Sequence, residues 1–220
     1  MKRKLSAAVL LAAVTVLWFA ASAGAVDGTI EINQVKALVA GFPYVITASG
    51  SYRLTGNLTV SSASADAIDV NASHVTIDLN GFSITGPGAS GSGSGIAGTP
   101  ANELTVENGA ITGFQNGLSI GTNSIVKSIH VDGNTNGIVA GSDAVISGNT
   151  VVANGTGINC GGSGCLVSGN TIDNNTGAPM SFNNATSGYE GNVLNGNGSG
   201  ISGGTSLGAK NTNLCNGTAC

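Results

Sequence analysis

Apolar and polar positions follow one short pattern that returns every 20 to 22 residues from about residue 65 onward. Its clearest copy spans residues 137–154, where Gly-Ile-Val-Ala is followed by Ala-Val-Ile-Ser-Gly-Asn and then Thr-Val-Val-Ala-Asn. A close copy spans residues 157–174. A unit this short cannot bury its own apolar face and must stack on its neighbours. The pattern therefore predicts a solenoid.

Three columns of aliphatic residues run through the repeats, which predicts three short strands per coil, three parallel sheets and about seven coils. The longest step runs from Ile68 to Ile96, and the Gly, Ser and Pro of residues 86–101 predict a loop inserted into one coil here. The predicted columns are Ile68, Ile96, Leu118, Ile138, Ile158, Ala178 and Ile201; then Ile77, Val106, Val126, Ile146 and Val167; then Ile84, Ile111, Val131, Val151 and Ile172.

The segment before the repeats predicts a cap for the first coil. Residues 31–40 have helical periodicity, with one apolar face formed by Ile32, Val35, Leu38 and Val39. Three short strands follow, over residues 45–47, 51–54 and 58–60. Because the first coil of a solenoid exposes open core and strand edges, we expect the helix to cover it.

Asparagine recurs at two corners of the predicted coil. Asn and Gly tolerate the left-handed conformations that tight corners need. Stacked carboxamides also satisfy backbone groups from coil to coil. We therefore interpret two sets as structural ladders: Asn149, Asn170 and Asn192, and Asn134, Asn154 and Asn174.

The first 25 residues predict a cleaved signal peptide, with Lys2 to Lys4 before an apolar stretch and Ala23-Gly24-Ala25 at the end. A membrane anchor is the alternative, although the stretch is short for a bilayer span. The chain from Val26 then carries four Lys and Arg against eleven Asp and Glu, a net charge of −7. This charge argues against nucleic acid and anionic membranes as partners. We expect a secreted protein, extracellular or periplasmic, without membrane insertion after cleavage.

The four cysteines form two pairs, each with four residues between its members. An exported chain meets an oxidising compartment, and of the three possible connectivities we favour the two local ones. Free thiols and a zinc site remain alternatives, although zinc ligands are usually spaced more tightly. The pairs are Cys160 with Cys165 and Cys215 with Cys220.

The Gly-Ile strands and Ser-Gly-Asn-Thr corners, together with the export signal, resemble the right-handed parallel β-helix repeat proteins of bacteria, within the pectate-lyase-like superfamily. Residues 41–58 and 75–82 resemble the segment that opens the helix in that group. The resemblance covers roughly residues 27–220 and implies a right-handed parallel β-helix. It does not choose a function, because the superfamily includes lyases, glycoside hydrolases, epimerases, esterases and members with no assigned activity.

Few residues remain to carry chemistry once the columns are assigned to packing. The outward positions beside the first column are nearly uncharged: Asp69, Ala97, Ser119, Val139, Asn159, Pro179 and Ser202. Beside the second column, Asp78, Glu107 and Lys127 fall at successive outward positions, and His130 and Asp132 flank Val131 on the next strand. Glu107, Lys127, His130 and Asp132 thus form a candidate patch, either a catalytic or calcium site or a solvated polar face.

We expect a secreted, non-enzymatic β-helix that binds extracellular polysaccharide or serves a structural role, as a monomer without cofactor. A polysaccharide lyase or hydrolase is one alternative, for which calcium is a candidate cofactor, and a self-associating solenoid is another. The predicted divisions are the signal peptide (1–25), the cap and first strands (26–64), the repeats (65–207) and a disulfide-clipped tail (208–220).

Overall fold

The computed structural model describes residues 28–207 and 212–220, which form an all-β parallel solenoid of about eight turns with one short helix. The predicted signal peptide and Lys210 lie outside the described residues. The solenoid has one turn more than expected because the first strands before the repeats already form a complete coil in register with the next.

The helix follows the first strand, and the strands of the early coils come after it. In chain order these elements are β1 (Ile30–Ile32), α1 (Gln34–Ala40), β2 (Tyr44–Ile46), β3 (Gly50–Leu54), β4 (Leu58–Thr59), β5 (Ile68–Val70), β6 (Val75–Asp78), β7 (Ser83–Thr85), β8 (Ser94–Gly98), β9 (Leu104–Thr112), β10 (Asn116–Ile120) and β11 (Ile125–Asp132).

The later coils are built from shorter strands. They are β12 (Asn136–Ala140), β13 (Val145–Ser147), β14 (Thr150–Val152), β15 (Thr156–Cys160), β16 (Leu166–Ser168), β17 (Thr171–Asp173), β18 (Met180–Phe182), β19 (Gly188–Glu190), β20 (Val193–Asn195), β21 (Thr205–Ser206), β22 (Leu214–Cys215) and β23 (Thr218–Ala219).

The three faces of the coil form two hydrogen-bonded sheets. The first face is a seven-stranded parallel sheet running from β2 to β18. The second and third faces belong to one sixteen-stranded sheet, because β9 and β11 continue through the corner between them. All pairings are parallel except that of β22 with β23. The predicted third sheet is therefore continuous with the second over two coils.

The second and third aliphatic columns are confirmed, and the first needs one correction. Ile77, Val106, Val126, Ile146 and Val167 pair in register and are buried, as are the predicted members of the third column. In the first column Met180, not Ala178, pairs with Ile158, and Ser181, not Pro179, is its outward neighbour. The turns at 161–165 and 174–179 each hold one extra residue, which shifts this register.

The N-terminal cap differs from the prediction in two ways. Residues 30–32 form a strand that pairs with β3, and α1 begins only at Gln34 because the Asn33 side chain caps it, accepting from Lys36 N at 3.0 Å. The predicted apolar face is also wrong. Ala37 is the buried residue of α1, whereas Val35, Leu38 and Val39 are exposed.

Tyr52 stands at the head of the second column and is buried. Its hydroxyl donates to the Ala48 carbonyl at 2.8 Å. Burial raises the pKa of this hydroxyl above its ordinary value, and the neighbouring Tyr44 adds to the rise. The phenol is therefore neutral and serves as a hydrogen-bond donor that ties the strand to its turn.

The first asparagine ladder joins successive coils at the corner between the second and third faces. The Asn170 carboxamide oxygen accepts from Asn149 N at 2.9 Å and from Asn149 Nδ2 at 3.0 Å. The same arrangement continues from Asn170 to Asn192 and then to Asn213. The left-handed residue of this corner is the glycine before each asparagine, as at Gly148 and Gly169, with φ of 63° and 64°. The asparagines thus satisfy backbone groups, and the glycines make the bend.

The second ladder lies at the following corner and contains Asn134, Asn154, Asn175 and Asn197. The predicted member Asn174 is wrong: it is exposed and is itself the left-handed residue, with φ of 52°. The extra residue of the preceding turn, at 161–165, lengthens the step to 21 residues and so moves the ladder position to Asn175, which is fully buried.

Both local disulfides are present, so neither free thiols nor a zinc site accounts for the cysteines. Their Cα atoms are 6.2 Å apart in Cys160–Cys165 and 5.7 Å apart in Cys215–Cys220. Cys160 and Cys165 are buried and stack below Ala140 and Ala144 of the previous coil. This disulfide is thus part of the core, whereas Cys215 and Cys220 are only half-buried.

We expect Asn170→Ala to lower the free energy of unfolding by about 3 kcal/mol, because it leaves the buried N–H of Asn149 and the Ile146 carbonyl without their partner. Urea unfolding followed by circular dichroism measures this loss. Asn174→Ala is the control, since the previous coil already has Ala153 in the same left-handed conformation. Equal losses for the two variants would contradict the ladder's stabilising role.

We expect the double substitution Cys160→Ala/Cys165→Ala to cost about 2 kcal/mol from the opened loop, with a further loss from the unfilled core. The alanines reproduce Ala140 and Ala144, so the fold is retained. Cys215→Ala/Cys220→Ala opens a loop of the same length at a half-buried site, and we expect a smaller loss. An equal or larger loss for that pair, in the same unfolding assay, would show that core packing adds nothing.

Candidate functional site

A row of polar side chains runs along the second face, parallel to the axis of the solenoid. Strand pairing places Arg53, Asp78, Glu107 and Lys127 at the same outward position in successive coils. Adjacent coils in such a sheet are separated by about 4.8 Å. The predicted succession of Asp78, Glu107 and Lys127 is therefore correct, even across the inserted loop.

The carboxylates of this row are paired with cations. Lys127 Nζ lies 2.8 Å from Glu107 Oε2, and Arg53 Nε lies 3.4 Å from Asp78 Oδ2. Asp78 Oδ1 also accepts from Asn80 N at 2.8 Å. Both carboxylates are mostly covered, with 21% of each side chain exposed. The two acids thus lie side by side, and each is neutralised by a cation on its far side.

Sequence reasoning missed the pairing of Arg53 with Asp78 because it treated residues before 65 as a separate cap. The signal was nonetheless present in the chain. Tyr52 and Ile77 are paired column residues, so the residues that follow them, Arg53 and Asp78, must also pair. Extending the columns back by one coil would have found this ion pair.

His130 and Asp132 form a second pair on the third face, beyond the corner. His130 Nε2 lies 3.6 Å from Asp132 Oδ1, and Thr112 donates to Asp132 Oδ2 at 3.1 Å. The buried Ile129 separates them along β11 from Lys127. Among the contacts of the described residues, none joins these side chains to Glu107 or Lys127, so the predicted patch of four residues is two separate pairs.

The row continues past Lys127 as a groove whose first two row positions are uncharged. Ser147 and Ser168 occupy the next two positions, followed by Glu190. The corner beside them holds glycine, whereas the earlier coils have Asn108 and Ser128 there. The loss of these side chains opens a shallow groove lined by Ser147, Gly148, Ser168, Gly169, Glu190, Gly191 and Thr212. We call Arg53, Asp78, Glu107, Lys127, Ser147, Ser168 and Glu190 the polar row.

An aliphatic row lies beside the polar row on the same face. Ile125, Val145 and Leu166 pair in register and point outward, opposite in direction to the buried Val126, Ile146 and Val167. Ile125 is exposed and the other two are half-buried. Sequence reasoning missed this row because, beside the second column, it considered only the outward residues that follow each column residue and not those that precede it.

Two carboxylates of the second face are engaged in ion pairs. General acid–base chemistry needs a carboxyl group free to exchange a proton with a substrate. Asp78 and Glu107 are instead each held in an ion pair. In residues 28–207 and 212–220, no three His, Cys, Asp or Glu side chains converge as ligands for a metal ion. The second face thus offers hydrogen-bonding groups and an apolar strip.

The fold is a β-solenoid with two disulfides. Disulfides form and persist in an oxidising, extracellular-type compartment, so they indicate that kind of environment. No protein-family profile, curated protein or solved structure matches the chain.

None of the helices in the described part of the chain is long and apolar enough to cross a bilayer.

We expect Glu107 and Lys127 to show a coupling energy of about 0.2–1 kcal/mol in a double-mutant cycle, because the pair is exposed on one side. Lys127→Met alone should cost more than the double variant with Glu107→Gln, since it leaves Glu107 beside Asp78 without its cation. Thermal or urea unfolding at low and high salt measures the cycle. Additive effects, or coupling that persists unchanged in high salt, would contradict the ion pair.

Proposed function

We propose that this chain is a secreted, non-enzymatic β-helix that binds an extended polysaccharide along its second face. The fold and the disulfides support an extracellular setting. The resemblance to the pectate-lyase-like superfamily supports carbohydrate as the ligand class. The ligand site of the proposal is the groove of the polar row together with the aliphatic row.

The observation that carries this proposal is the parallel course of the two rows. Each coil from the fourth to the sixth presents one polar and one aliphatic side chain side by side: Lys127 with Ile125, Ser147 with Val145, and Ser168 with Leu166. The pair repeats at intervals of about 4.8 Å. A polysaccharide has a matching character, since its sugar rings repeat along the chain and combine apolar faces with hydroxyl edges.

The charge of the site favours a neutral polysaccharide over a polyanionic one. Within the polar row, Asp78 and Glu107 are offset by Arg53 and Lys127, and the row ends at Glu190. The described residues elsewhere are strongly acidic, which repels a polyanion. Hydrogen bonds from serine, lysine and glycine backbone groups suit hydroxyl-rich ligands.

Aliphatic contacts replace aromatic ones in this proposal. Tyr52 is buried, and Tyr189 stacks on Phe182 with ring centroids 5.5 Å apart. These rings are therefore engaged in packing and offer no flat platform for sugar stacking. Because a row of Ile, Val and Leu provides less contact area per sugar, we expect modest affinity that increases with the length of the polysaccharide.

A lyase or hydrolase is the second candidate, because Asp78 and Glu107 lie in adjacent coils. Paired carboxylates are the usual groups of glycoside hydrolysis. In this candidate, ligand binding must release at least one carboxylate from Arg53 or Lys127. The experiment below separates the two candidates.

We expect the protein to bind at least one neutral polysaccharide in affinity electrophoresis across a panel of neutral and acidic glycans. Val145→Asp should weaken that binding by roughly tenfold or more, because it places a charge in the aliphatic row. Val139→Asp is the matched control, since Val139 points outward from the first face and is likewise half-buried. Equal loss in both variants, or no binding to any glycan, would overturn the proposed site.

The same panel tests for catalysis through unsaturated or reducing-end products, with and without calcium. We expect no turnover. Turnover that disappears in Asp78→Ala or Glu107→Ala would overturn the non-enzymatic assignment in favour of the second candidate.

A further inference from the structure

The N-terminal end of the solenoid exposes an apolar surface that packing of the chain does not explain. Val35, Leu38 and Val39 lie on one side of α1 and are 71%, 62% and 85% exposed. On the adjoining strands, Ile30 and Val45 are 44% and 45% exposed. The other large exposed hydrophobic residues of the described chain, Ile125, Val193 and Leu214, reach at most 42%. We call Val35, Leu38 and Val39 the cap surface.

A strand edge lies beside the cap surface. Among the described residues, β1 pairs only with β3, and Glu31 is the residue of β1 whose backbone groups face away from the sheet. Its carbonyl accepts from Lys36 Nζ, so its N–H is the group left at this edge for a strand of another chain. The combination of a strand edge and an apolar helix face is itself present on every copy of this protein. In an arrangement with two-fold symmetry, the same surface of each copy therefore contacts that of the other.

The charge distribution points to the same partner. The described residues carry ten Asp and Glu against three Lys and Arg, so most surfaces repel a second copy. Residues 28–46 contain one acid and one base, Glu31 and Lys36, and Lys36 Nζ folds back to donate to the Glu31 carbonyl at 2.9 Å. The cap surface is thus a neutral, apolar end on an acidic molecule.

We propose that two copies of this protein associate head to head through their cap surfaces, as a closed dimer rather than the monomer expected from the sequence. The opposite end supports closure at two copies. There β23 turns back antiparallel on β22, and Cys215–Cys220 fixes the turn. This hairpin replaces the parallel edge on which a further coil would pair. The end strand therefore runs opposite to the strands of a further coil, and the dimer leaves both second faces free.

Sedimentation equilibrium tests this proposal. The full chain is expressed with its N-terminal segment and purified after export, and mass spectrometry identifies the N-terminus of the purified protein. We expect a reversible monomer–dimer equilibrium without larger species. Val39→Asp should raise the dimer dissociation constant roughly tenfold or more, because it places an unpaired charge in an apolar contact. Ile125→Asp, which changes an exposed residue of the second face, is the matched control and should leave the dimer intact.

Other occupants of the cap surface give distinct results. A monomer at every concentration, a dimer unaffected by Val39→Asp, or an open-ended series of oligomers would overturn the proposal. Flotation with neutral phosphatidylcholine vesicles adds a further arm. Vesicle binding by a monomeric wild-type protein that is lost in Val39→Asp would assign the cap surface to lipid instead, and would also overturn the proposal.

Discussion

The whole structure depends on each coil satisfying the hydrogen bonds of the coil beside it. A strand of three residues cannot be stable alone, and here nearly every backbone bond of a coil goes to a residue about 20 positions away. All three turns of a coil must therefore lie level with those of its neighbours. The asparagine ladders maintain this alignment at two corners. Each carboxamide accepts a hydrogen bond from the previous coil, donates to a carbonyl of that same coil, and donates to the asparagine of the next coil.

This constraint explains which parts of the fold could be predicted from sequence. Val126, Ile146 and Val167 were predictable because an inward aliphatic residue has to recur at every coil. Ala178 and Asn174 were predicted wrongly because a fixed step of 20 residues was carried through turns that had gained a residue. Turns accommodate such insertions at the surface without disturbing the strands. The average length of the repeat does not show which turn holds the extra residue. Only the buried partners, Met180 and Asn175, show where the register resumes.

The cap and the site were harder to predict for a different physical reason. Helical spacing shows that Val35, Leu38 and Val39 share a face, but it does not show whether that face meets the core or solvent. The small residue Ala37 allows α1 to approach the core closely and leaves the larger residues outside. At the site, the register of the second column placed Asp78, Glu107 and Lys127 correctly. The cation Arg53 was missed because its coil lies outside the regular repeat.

The outward side chains carry information that the inward columns cannot. An aliphatic residue in the core is required by packing and therefore says nothing about function. Ile125, Val145 and Leu166 face outward, where a polar side chain would serve the fold equally well and the solubility of the protein better. The same holds for the glycines of the adjoining corner, since Ser128 shows that a side chain fits its left-handed position. The apolar strip and the groove beside it are features that the solenoid does not need, and the function of this chain is best sought there.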